Sequence, residues 1–282
     1  MNPMSPMNQT PQTQIAQLLE QGLFHHRRGE FAPAMERYVE VLKRDPQNAD
    51  ALYYSAVIAC AEGQYREGID LARRSLTFRG RQARVHNLIG KALAEMNELK
   101  DALAAFDEAL ACDIKFAEAF TNRGNMLCDL GRYTEGLSSY DRALELEPIA
   151  ANWLNRGTAL EGLGRVDEAI ESYDRAIALE PGVPLTYINR SHALLSAGRN
   201  EEALATAERG VEAGPSVPYA HLAKAQAQLA LGQKEAALVA AERAVAVAPQ
   251  LAKAHKARAA ILDALGRAEE AKASREQAAG LA

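Results

Sequence analysis

Between Ala150 and Pro181 the chain reads AANWLNRGTALEGLGRVDEAIESYDRAIALEP, and its apolar and small residues fall into two short runs. Trp153, Gly157 and Leu160 predict a first helix, Gly164 a turn, and Ala169, Tyr173 and Ala176 a second helix that Pro181 stops. Almost the same pattern ends 33 residues earlier at Pro148 and 34 residues later at Pro215. A fixed period of this length signals stacked helical hairpins. Aligned on this segment, the chain divides into eight units starting near Ile15, Ala49, Ala83, Ala117, Ala150, Pro184, Pro218 and Ala252.

The alignment explains most of the special residues. Position 15 of each unit is Gly29, Gly63, Asn97, Gly131, Gly164, Gly198, Gly232 or Gly266, the residue types that tolerate the left-handed end of a helix. Position 20 is always alanine or glycine, which lets two helix backbones approach closely. Position 8 is also small, and four of its residues, Gly22, Gly90, Gly124 and Gly157, are glycines inside a predicted helix. Glycine there costs roughly 0.5–1 kcal/mol relative to alanine, so its recurrence implies a packing reason.

These residues resemble the tetratricopeptide repeat from about Ile15 to the C-terminus. The central unit carries the family pattern at Trp153, Gly157, Leu160, Ala169, Tyr173, Ala176 and Pro181. Departures cluster where Gly80 and Ile114 replace the terminal proline, and in the second unit, where Ala59, Ala72 and Ser75 are atypical. The resemblance implies an all-α fold, a right-handed α-solenoid superhelix of eight helix-turn-helix units spanning residues 15–282, with the first helices lining a concave groove. The last hairpin is expected to cap itself, since Arg275 takes the usual aromatic position among Glu269, Glu270, Lys272 and Glu276. Residues 1–14, rich in Pro, Gln and Asn, are expected to be a disordered tail.

Composition narrows the function. Net charge is −5 and no basic run occurs, so nucleic acid is not expected as a partner. No apolar stretch approaches the ~20 residues of a membrane span, and residues 1–14, with no cationic start and no apolar core, are not expected to be a signal peptide. Cys60, Cys112 and Cys128 read as free thiols, which points to a reducing, cytoplasmic setting. Neither a phosphate loop nor a metal-ligand spacing is present. The chain is therefore expected to be no enzyme and to need no cofactor or metal. His86, His221 and His255 share position 4, normally a packing site, and are read as packing histidines.

One feature rises above the repeat itself. Asn122, Asn155 and Asn189 occupy position 6 of three successive units, each followed by arginine (TNRGN, LNRGT, INRSH). In the tetratricopeptide family this position faces the groove, so the resemblance implies a ladder of side chains, joined by Asn125. Asparagine offers both donor and acceptor and can hold an extended peptide backbone. The bland alternative is an ordinary Asn-Arg variant satisfied internally. Arg123, Arg156 and Arg190 are expected to pack their stems and reach acids such as Asp141 and Asp174. Tyr53 and Tyr54 near the N-terminal end, and Leu154, Leu185, Ile188, Tyr219 and Leu222 further on, are either apolar pockets or contacts between first helices.

The expected function is a protein–protein interaction scaffold binding an extended peptide segment. Three asparagines supply only a few kcal/mol at about 0.5–1.5 kcal/mol per hydrogen bond, against about 8 kcal/mol for micromolar affinity. Apolar anchors must therefore contribute. The alternative is the substrate-recognition module of, or partner to, a glycosyltransferase similar to O-linked N-acetylglucosamine transferases, whose repeat region carries a comparable ladder. Whether the chain also pairs with a second copy of itself is left open.

Overall fold

Residues 10–281 are described in the structure, a computed structural model, and among them the chain forms sixteen α-helices and no strand. It divides into two units at Leu130 and Gly131. The first contains α1 (Pro11–Arg27), α2 (Phe31–Arg44), α3 (Ala49–Ala61), α4 (Tyr65–Arg79), α5 (Ala83–Glu95), α6 (Leu99–Cys112) and α7 (Ala117–Asp129). The second contains α8 (Tyr133–Leu146), α9 (Ala150–Gly162), α10 (Val166–Leu179), α11 (Pro184–Ser196), α12 (Asn200–Ala213), α13 (Pro218–Ala230), α14 (Lys234–Val247), α15 (Ala252–Ala264) and α16 (Ala268–Ala279). In the first unit α1/α2, α3/α4 and α5/α6 are hairpins, and each second helix packs on the next first helix. In the second unit α9/α10, α11/α12, α13/α14 and α15/α16 do the same, with α8 packed on α9. None of the sixteen helices is long and apolar enough to cross a membrane.

The expected tail needs correcting at its C-terminal end. Residues 1–9 lie outside the described residues, but α1 begins at Pro11, four residues before the expected first unit. The local reason is a good helix start: the Thr13 N–H donates to Thr10 Oγ1 at 3.3 Å, and Pro11 stands at the first helical position, where no N–H is needed.

Turn chemistry sets the hairpins. Gly164 has φ 72° and ends α9; the Arg165 N–H then reaches back to the Leu160 carbonyl at 2.9 Å. Asn97, with φ 60°, does the same work where glycine is missing. Immediately after the turn Arg165 forks onto Glu168, three residues into the next helix, with two bonds of 2.6 Å. Arg132–Glu135, Arg199–Glu202 and Arg267–Glu270 repeat this arrangement. The glutamates also sit where the helix dipole favours negative charge.

The core follows a size rule between the two helices of a hairpin. Gly22, Gly90 and Gly157 lie directly against the rings of Tyr38, Phe106 and Tyr173, all sixteen residues later in the chain. Where alanine takes the glycine position, as at Ala56 and Ala225, the later residue is also alanine, Ala72 or Ala241, in the same core cluster. Glycine therefore recurs inside these helices because an aromatic ring takes its side-chain space. Ala34, Ala102, Ala169, Ala203, Ala237 and Ala271 at position 20 have no exposed surface.

Polar bonds set how one hairpin seats on the next. Arg123 reaches Asp107, Arg156 reaches Asp141 and Arg190 reaches Asp174, at 2.7–2.8 Å, each from a first helix to the preceding second helix. Arg156 and Arg190 also bond Ser172 and Thr206 on the second helix of their own hairpin. Position 4 carries a second recurring bond. Tyr187 donates its hydroxyl to the Pro181 carbonyl, and the Nε2 atoms of His221 and His255 lie 2.9 and 2.8 Å from the Pro215 and Pro249 carbonyls. These two histidines are buried and tie down the connection between hairpins. Arg275, in place of an aromatic residue, pairs with Asp263 at 2.5 Å.

Candidate functional site

The asparagines sit at one helical position but have different surroundings. In the first unit, Asn122 of α7 is half-buried and donates through Nδ2 to Oδ1 of the buried Asn87 on α5, at 3.0 Å. Part of its polarity is thus satisfied internally, as the bland reading anticipates. Asn125 lies one turn further along α7 and is also half-buried. In the second unit Asn155 and Asn189 lie on α9 and α11, both half-buried, and the Asn189 side chain is within hydrogen-bonding reach of the Tyr173 hydroxyl. That hydroxyl also donates to Glu161 and lies 3.4 Å from Thr158. Burial pushes the Tyr173 hydroxyl far above its ordinary value and raises Glu161 as well.

The apolar candidates separate into walls and core. In the first unit Tyr54 stacks on Tyr38 with centroids 5.7 Å apart, and Tyr53 carries the Arg84 guanidinium 4.5 Å over its ring. Tyr54 thus packs back onto the second helix α2, and Tyr53 forward onto the next first helix, α5. Arg84 in turn shares Asp50 with Arg79. In the second unit Leu154 on α9 is half-buried. Leu222 is a correction: only 4% exposed, it packs with Ala244 and Ala254 in the core. The small alanines around it let α14 and α15 close over its side chain. Ile188, 6% exposed, packs on Ala207, Ala220 and Ala223, yet one side of it still borders open space.

That open space is a cavity of the second unit. It has a volume of about 460 Å³ and is lined by Val183, Pro184, Leu185, Ile188, Asn189 and His192, with Val217, Tyr219 and Lys253 opposite. Three successive first helices, α11, α13 and α15, contribute to it. Leu185 and Tyr219 are 52% and 42% exposed, unusual for large apolar side chains on packed helices. Asn189 and His192 are the polar groups on the wall, and Lys253 lies at the rim with its Nζ 5.2 Å from the Tyr219 ring centre. Burial lowers His192 below its ordinary value, partly offset by a hydrogen bond with Gln226, and nearby Lys253 lowers it further. Both burial and Lys253 therefore favour the neutral ring.

The structure thus gathers Leu185, Ile188, Asn189 and Tyr219 around one volume. Sequence reasoning missed His192 and Lys253. His192 follows Leu185 and Ile188 by seven and four residues, a helical-face spacing that would have found it. Lys253 lies two hairpins further on but holds position 2 of its unit, as Leu185 and Tyr219 do of theirs, so the repeat register would have found it. Among the described residues no group of acids, cysteines and histidines is placed to hold a metal, and the three cysteines are free thiols.

Comparison with known proteins finds tetratricopeptide-repeat similarity over part of the chain. Tetratricopeptide-repeat models match residues 121–184, 160–229 and 218–251. A model described as anaphase-promoting complex, cyclosome, subunit 3 matches residues 16–109. No curated protein matches the sequence. Among solved structures, a tetratricopeptide repeat protein from Parabacteroides merdae is similar over 88% of this chain and 99% of its own, with 18% identity and a TM-score of 0.66. PilW, described as a widely conserved type IV pilus biogenesis factor, covers 69% of this chain and 91% of its own, with 24% identity and a TM-score of 0.63. YrrB, described as a tetratricopeptide repeat protein with an unusual peptide-binding site, covers 63% of this chain and 92% of its own, with 23% identity and a TM-score of 0.53. At these identities the likeness is one of fold.

Proposed function

We propose, from the premise that this is a tetratricopeptide repeat protein, that the chain is a binding scaffold which grips an extended segment of a partner protein. The observation that carries this reading is the cavity across α11, α13 and α15, with Leu185 and Tyr219 held half open on its walls. Its volume falls in the range of ligand-binding clefts, roughly 300–1,000 Å³. Apolar walls with one asparagine suit a peptide side chain inserted beside a backbone amide that Asn189 can meet from either polarity. The peptide-binding site named for YrrB supports the same use of the fold.

Magnitudes define the segment. One buried apolar side chain contributes about 1.5–3 kcal/mol, and each asparagine bond about 0.5–1.5 kcal/mol. Micromolar affinity, about 8 kcal/mol, therefore needs a ligand that lies along more than one hairpin. The free thiols suit a reducing compartment, and the chain acts there by binding and not by chemistry of its own.

The test is the affinity of unstructured peptides for the wild type, for Leu185→Ala/Tyr219→Ala and for Asn122→Ala/Asn155→Ala/Asn189→Ala. Weaker binding to the Leu185/Tyr219 variant is expected. Equal affinity for this variant and the wild type removes the cavity from the account, and equal affinity for the asparagine variant removes the ladder.

A further inference from the structure

We infer that the segment held at α11, α13 and α15 is acidic, and places carboxylate side chains against Lys253 and Lys256 while an apolar residue between them fills the cavity. The inference rests on the groove reading above and names the chemistry of its ligand.

The first observation is a segregation of charge in a chain whose net charge is −5. The three first helices α11, α13 and α15 carry Arg190, Lys224, Lys253, Lys256 and Arg258, and only one acid, Asp263. The second helices α12, α14 and α16 carry nine acids against five basic residues. The groove-forming helices are thus positive within an acidic protein.

The second observation is which of these cations are already used. Arg190 pairs with Asp174 and Lys224 with Glu208, Asp263 is taken by Arg275, and Arg258 bonds Ser274 and Gln277. Lys253 and Lys256 are exposed and have no acid within 4.0 Å among the described residues. They lie three residues apart on α15 and so share one face, one turn apart. Lys253 rests against Tyr219, at the mouth of the cavity. Burial and the nearby lysine disfavour charge on His192, so the cation at the cavity is Lys253 at the rim, beside the apolar side chains of Leu185, Ile188 and Tyr219. This combination selects an anion next to an apolar group. Two lysines one turn apart offer separate ammonium groups to two carboxylate side chains.

The experiment measures binding of a labelled ten-residue unstructured peptide carrying Glu-Leu-Glu in a Gly/Ser background to the full chain. Comparison peptides carry Gln-Leu-Gln or Glu-Ala-Glu, and the first is made with both a free and an amidated terminus. The proteins are the wild type, Lys253→Gln/Lys256→Gln and Leu185→Ala/Tyr219→Ala. Two exposed ion pairs are together worth about tenfold in affinity at low salt, fading as ionic strength rises. Expected outcomes are an approximately tenfold loss for Gln-Leu-Gln on the wild type, a matching loss for Glu-Leu-Glu on the lysine variant, and no effect of amidating the terminus. Equal binding of the Glu and Gln peptides, both weakened by Leu185→Ala/Tyr219→Ala, overturns the acidic selection and leaves the groove reading standing. An affinity that depends on the free terminus overturns the assignment to side chains. Absence of binding of Glu-Leu-Glu to the wild type also overturns the inference, and the groove reading then stands or falls on its own variants.

Discussion

The ring of Tyr173 occupies the space where a side chain on Gly157 would begin: a β-carbon there would lie 2.5 Å from Cε1 and 2.8 Å from Cδ1. Gly157→Ala gains up to about 1 kcal/mol of helix propensity but forces a fully buried ring to move, at a cost of about 1–3 kcal/mol. A net loss of stability is expected in urea denaturation. Adding Tyr173→Ala to Gly157→Ala imitates the Ala225/Ala241 pair, so the double variant should be less destabilised than the sum of the single ones by about 1 kcal/mol or more. Simple additivity of the two would refute the size rule.

Asn122 contributes to the first unit as well as offering itself to a ligand. Asn122→Ala leaves the Oδ1 of the buried Asn87 without its 3.0 Å donor, at a cost of about 1–3 kcal/mol. Asn87→Ala on top of it should add little further, because the orphaned acceptor goes too. Denaturation of the single and double variants checks this, and a harmless Asn122→Ala would show that the bond adds nothing to stability.

Position 4 predicts an interchange. His221 approaches the Pro215 carbonyl at 2.9 Å, as the Tyr187 hydroxyl approaches that of Pro181 at 3.0 Å. His221→Phe keeps the ring and loses the bond, so a loss of about 1 kcal/mol is expected. His221→Tyr should restore most of it. Thermal melting decides, and indistinguishable Phe and Tyr variants would remove the bond from the account.

Glu161 predicts a pH dependence. Burial raises its folded-state value above that of an exposed carboxyl, with the Tyr173 hydroxyl offsetting part of the shift. Between the ordinary carboxylate value, about 4.3, and the raised folded one, the native state holds a proton that the unfolded chain has released. Its contribution to stability is complete below that window and is lost as pH rises through it. Glu161→Gln should therefore gain stability relative to wild type between acidic and neutral pH. Parallel pH profiles for the two proteins would contradict this.

Much of the fold was legible in the sequence because the governing interactions are local. The turn residues, Gly164 with its positive φ and Asn97 as its stand-in, announce each hairpin from their own backbone preference. The arginines at position 7 were legible for a related reason: Arg156 and Arg190 lie about half a repeat from Asp141 and Asp174, and stacking brings that distance together. Thr10 and Pro11 carry a cap and a helix start that the repeat register obscured, because α1 extends beyond the periodic unit.

By itself, then, the sequence determined the helices, their turns and the small residues between them, since the 34-residue period writes local geometry directly into residue type. Only the tertiary structure decided which apolar side chains stay open. Leu185 and Leu222 are both leucines on first helices, yet one is 52% exposed beside a cavity and the other 4% exposed under alanines. Leu185 holds position 2 of its unit and Leu222 position 5, and the stacking of successive hairpins closes position 5 while leaving position 2 open. Lys253 reaches the cavity through the same stacking, which brings position 2 of three successive units, Leu185, Tyr219 and Lys253, to one volume.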